Sequence, residues 1–244
     1  MNTPVESFTY PPERYLAESQ HRSRFWYMWL PILVGVFVVY LGFFHGPFYK
    51  NWMENESTGL LEFIHAFFPL VVCGIGIRLL FFPFIRRNRL LTAWMVLMAV
   101  CSFYLAGEEA SWGQHYLGWV TPDDIAELND QGETNLHNMS HWLDQKPRLI
   151  LVISIIFSTL VIPWLLVNKP DLPPRIFDFV YPGLFLAPLA IAVLLTEMIT
   201  QFKDVFPDHW DDLVRPGEFQ ELYIAWYLLA YALLLLERAR KTSA

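Results

Sequence analysis

Six long apolar runs decide what this chain can fold into. They cover 25–44, 60–84, 90–107, 149–167, 176–199 and 219–236. Hydrocarbon offers the backbone no hydrogen bonds, so a spanning segment must satisfy its own amides. A helix of about 20 mostly apolar residues does so. The composition agrees, with 55% hydrophobic and 17% aromatic residues and a mean hydropathy of +0.32. The predicted fold is all-α, an integral membrane bundle of about six transmembrane helices. Pro182 and Pro188 fall inside the fifth run and predict a kink there. Residues 1–24 are polar and read as a cytoplasmic N-terminal segment; 25–240 reads as a single polytopic domain. The first run carries no small-residue cleavage site and reads as an uncleaved helix. Cys73 and Cys101 sit in apolar runs and read as small buried hydrophobes rather than a disulfide pair.

The cations orient the bundle. With six alternating helices and a cytoplasmic N-terminus, one side holds Arg14, Arg22, Arg24, Arg86, Arg87, Arg89, Lys169, Arg175, Arg238, Arg240 and Lys241. The other side holds Lys50, Lys146, Arg148, Lys203 and Arg215. The positive-inside rule therefore places both termini in the cytoplasm. Most acids then fall outside, as do His45, His65, His115, His137, His141 and His209. A net charge of −7 argues against nucleic acid as a partner.

Between the third and fourth runs lies 108–147, too long for a structureless connection. Thr121-Pro122-Asp123-Asp124 is a helix start, with Thr121 as N-cap, and Asn129 to Gly132 is a turn. Two short helices are expected, the second over 133–143, folded back on the outer membrane face. Trp112, Tyr116, Trp119 and Trp142 suit an interfacial aromatic belt.

This segment also concentrates the polar chemistry. Ionisable groups at the edge of hydrocarbon are costly and are functional candidates by default. If the third helix continues past Gly107, Glu108, Ser111 and His115 share one face, with Glu109 beside them. The paired carboxylates are candidates for general acid–base work, with Ser111 as a further catalytic candidate. Trp112, Gln114, Asn135 and Asn138 are candidates for binding substrate. On a continuous helix Glu133, His137 and His141 recur every fourth residue, a workable metal-ligand spacing, and His115 is a further candidate ligand. Glu197, alone near the end of the fifth run, needs a partner, and Glu108 or His137 is the expected one. Glu62 and His65 are a weaker version of the same idea. For all of these the structural alternative is a hydrogen-bonded lock on the fold-back segment.

Glu108-Glu109-Ala110-Ser111-Trp112-Gly113-Gln114, Gly118-Trp119, Thr121-Pro122 and Gln131-Gly132-Glu133-Thr134-Asn135-Leu136-His137-Asn138 form a specific pattern. It resembles a group of poorly characterised bacterial polytopic membrane proteins. The resemblance implies bacterial origin, hence the inner membrane, and a shared site, but no reaction. The group often carries Arg where this chain has His115. Ser111-xxx-His115 and His137-xxx-His141 also resemble, more weakly, motifs of ceramidase and adiponectin-receptor-like membrane hydrolases, which implies zinc hydrolysis. The functional expectation is a Glu/His/Asn site at the extracytoplasmic surface. It would belong to an enzyme that uses a divalent metal, such as zinc, on a membrane lipid or lipid-linked substrate. The alternative is a non-enzymatic subunit, scaffold or lipid-headgroup binder in envelope assembly.

Overall fold

The computed structural model describes residues 25–53, 59–129, 132–136, 139, 141–169, 171–205 and 216–243. These form a helical membrane bundle, with no strand among them. The chain enters through a π-helical turn, Phe25–Trp29, into α1 (Leu30–Phe44), then bends sharply at His45 into α2 (Gly46–Trp52). The spans α3 (Leu60–Leu79) and α4 (Arg89–Glu109) follow. α5 runs in three helical pieces, His141–Ile156, Phe157–Val161 and Ile162–Asn168. α6 (Ala187–Val205) and α7 (Pro216–Ser243) complete the bundle. Five helices are long and apolar enough to cross a membrane, or six if the bent α1–α2 pair is one span.

α7 is the central helix. Some 67% of its spanning window is buried, against 28–39% for the other four spans. It packs on α3 and α6, while α3 packs most extensively on α4. Leu222, Ala232, Leu234 and Leu235 of α7 join Val72, Leu79, Met95 and Leu189 in one core. The lipid-facing sides of α3 and α4 are apolar too, so the driving force for their pairing is close packing rather than burial from water. Gly76 supplies the closeness: a Cβ there would meet the Ala99 backbone nitrogen at 3.2 Å and Cβ at 3.0 Å.

The fifth apolar run departs from expectation. Helix begins only at the 3-10 turn Leu184–Leu186, and 178–183 is irregular. Pro182 has no amide to donate, and the carbonyls before it take partners from α7 instead. Arg238 Nη1 donates to Phe179 O and Tyr181 O, each at 2.7 Å, and the Tyr231 hydroxyl donates to Val180 O at 2.6 Å. Non-helical backbone is tolerated in a bundle where protein groups satisfy it in this way.

Gly76→Val is expected to force α3 and α4 apart at a backbone contact that cannot give, at a cost of about 1–3 kcal/mol. Thermal unfolding in detergent should show a lowered midpoint; an unchanged midpoint would remove the tight α3–α4 seam from this account.

Candidate functional site

The alternation of spans brings one end each of α3, α4, α5, α6 and α7 together, and the polar residues gather there. They form two groups on different sides of the last turn of α4.

The first group is a hydrogen-bonded clamp. α4 stops at Glu109, and Ser111, Trp112 and Gly113 follow with φ of 43°, 54° and 101°. Left-handed backbone at two non-glycine residues costs about 1–3 kcal/mol each and persists only where surroundings enforce it. They do so here. Glu108, 3% exposed, accepts from Trp112 Nε1 at 2.8 Å and from the Leu136 amide at 2.7 Å. The Ser111 hydroxyl donates to Glu133 at 2.6 Å, and Asn135 Nδ2 donates to both Glu133 (2.6 Å) and Ser111 (3.0 Å). Asn129 Nδ2 donates to Asn135 O and Oδ1, and Asn129 Oδ1 accepts from the Glu133 amide at 3.1 Å. Gln114 accepts from the Thr134 amide at 2.8 Å and donates to Thr121 Oγ1 at 2.9 Å. Gly107 lies under the Trp112 ring, where a Cβ would come within 2.8 Å of ring carbons.

These bonds explain why the fold-back is not the expected helix pair. The amides of Glu133, Thr134 and Leu136 all go to side chains, and such bonds compete with helix. Residues 132–136 are accordingly non-helical, so Glu133 does not line one helical face with His141. The helix after Thr121 is a single turn, Asp123–Ala126, with Pro122 rather than Thr121 at its N-cap. Glu108, Ser111 and His115 do not share a continuous helical face either, because the helix breaks at Ala110. His137 and Asn138 lie outside the described residues, as do the side chains of His115 and His141.

The second group contains Glu109 and residues that sequence reasoning weighed lightly or passed over. Glu62, His65 and Glu109 can place one ligand atom each within 4.8 Å of one another, and so can His65, Glu218 and Glu221. His65 is 1% exposed, and neither ring nitrogen has a hydrogen-bond partner. Its Nδ1 stands 3.5 Å from Glu221 and 3.9 Å from Glu218, too far for a good N–H···O bond. Arg148 Nη2 binds Glu221 Oε1 at 2.6 Å. Glu109 feels the charges of Glu221, Glu62, Arg148 and Glu218 together. Glu197 is at the margin: Gln201 donates to it at 3.0 Å, and Gln220, between the two α7 acids, also donates to it. Its partners are therefore Gln201 and Gln220 rather than Glu108. The signal for this group was present as two spaced pairs, Glu62-x-x-His65 and Glu218-x-x-Glu221, each on one face of an apolar helix.

Chemically, a buried imidazole with two unused nitrogens among four carboxylates is a ligand set. As a whole, the chain matches no protein-family model, no curated protein and no solved structure, and the site is read from its own residues.

If the clamp is structural, Glu108→Gln turns an amide nitrogen towards a donor and leaves Trp112 or Leu136 without its charged acceptor. A loss of about 1–3 kcal/mol is expected. It should be read as a lower unfolding midpoint together with faster proteolysis within 110–136. Unchanged stability and protection would mean that the clamp does not hold the fold-back.

Proposed function

We propose that this protein is a metal-dependent enzyme of the bacterial inner membrane, acting at the extracytoplasmic surface on a lipid or lipid-linked substrate. The observation that carries the reading is His65, buried among Glu62, Glu109, Glu218 and Glu221 with both ring nitrogens unpartnered. One guanidinium, Arg148, faces four carboxylates at the edge of hydrocarbon. Such an imbalance is costly unless protons or a cation offset it, and a divalent ion also gives the imidazole its missing partner. Arg148 and Gln220 would then act as outer-shell groups that hold Glu221 and Glu197 in place. A bound cation at this site would supply an activated water or polarise an ester or phosphoryl oxygen.

The distribution of Lys and Arg supports the placement: it puts the cluster end away from the cytoplasm and Arg86, Arg87 and Arg89 within it. Within this reading Glu109 is the acid of the motif that serves the site, and Glu108 positions it. A second reading draws on the clamp, in which Ser111, Gln114, Glu133 and Asn135 are engaged with one another. In that reading the protein is a scaffold or lipid-headgroup binder, and the motif is a lock.

Metal analysis of the detergent-purified chain by mass spectrometry separates the two. The enzyme reading expects bound divalent metal in wild type, and loss of at least half of it in His65→Ala and Glu109→Gln variants that keep wild-type elution and helicity. Wild type that is folded, metal-free and unable to take up metal after dialysis would leave the scaffold reading.

A further inference from the structure

The five candidate ligands fall into two trios that share only His65. One trio joins Glu62 and His65 of α3 to Glu109 of α4, and the other joins His65 to Glu218 and Glu221 of α7. Ligands of one small divalent ion sit about 2.0–2.1 Å from it, so opposite ligands lie about 4.2 Å apart. Each trio, at 4.8 Å or less, is thus nearly the right size for one ion. We propose that the site holds two divalent cations side by side, of the iron or manganese kind, one in each trio, with a carboxylate between them.

This inference rests on the metal-dependent reading above. Three further observations support it. Four carboxylates and one guanidinium leave three uncompensated negative charges beside a neutral imidazole, more than one divalent ion offsets. The donors are four oxygen ligands and one nitrogen ligand, a set that suits iron and manganese better than the sulfur- and histidine-rich sets of structural zinc. The helical placement is that of paired-metal bundles, which take single glutamates from two helices and Glu-x-x-His from two others. Here α3 gives Glu62-x-x-His65, α4 gives Glu109 and α7 gives Glu218-x-x-Glu221. The fourth contributor, α5, presents Arg148 instead of a ligand. One imidazole fewer leaves an open coordination position. Side-chain exposure rises from 1% at His65 through 22% at Glu221 to 25% at Arg148, so a substrate would approach from the α5–α7 side.

The test uses the full chain in detergent, stripped with a chelator, reloaded with Mn(II) and desalted. Two manganese ions per chain are expected, with the spin signature of a coupled pair by electron paramagnetic resonance. The double variant Glu218→Gln, Glu221→Gln should hold one ion or fewer and lose the coupled signal. A single ion in folded wild type would overturn the paired site and leave the metal-dependent reading standing. Two uncoupled ions would also overturn it, placing them in separate sites. No binding at all, in protein that keeps its helicity, would sink both.

Discussion

A buried imidazole among carboxylates at the end of an apolar bundle is the feature on which the rest of this structure turns. Lipid-facing helices can pair through packing alone, as α3 and α4 do at Gly76. They gain nothing from carrying Glu62, His65, Glu109, Glu218 and Glu221 to the same end, where each costs desolvation. Three helices nevertheless converge there. The other polar features of the bundle close on themselves: Arg238 caps the carbonyls of Phe179 and Tyr181, and the Trp94 indole donates to Tyr231. At His65 the closure is missing, and that is what separates a site from a lock.

The spans were legible because hydrophobicity over about 20 residues is a strong and local signal. The fifth run was read as one kinked helix because the sequence does not show that Arg238 and Tyr231, more than 50 positions away, accommodate the irregular stretch before Leu184. The fold-back was misjudged for a related reason. Thr121-Pro122-Asp123-Asp124 does start a helix, but only of one turn, since Asn129, Gln114 and Glu108 draw off the amides that a second helix would use.

The candidate site was legible in one half. Glu109 and the weight of the 108–138 motif stood out because a carboxylate pair interrupts an apolar run. Glu218 and Glu62 were hidden by an ordinary explanation, since each lies in the first turn of its helix, where an acid is favoured by the helix dipole. Arg148 was counted only as a topology charge. Nothing local links α7 to α3; the link is the packing of two helices some 150 residues apart in sequence.

The clamp and the cluster are best understood as one device. Successive residues of an α-helix are rotated by about 100°, so Glu108 and Glu109 must face different neighbours. Glu108 is pinned by Trp112 on its own chain and by the Leu136 amide across the fold-back. Pinning it fixes the rotation of the last turn of α4, and that rotation decides whether Glu109 reaches Glu62 and His65. The left-handed residues Ser111 and Trp112 are part of the same arrangement, because the indole returns to Glu108 only if the chain reverses there. A motif made mostly of structural hydrogen bonds is therefore compatible with a functional site one residue away. The motif sets the position of an acid, and the acids and histidine of α3 and α7 await it.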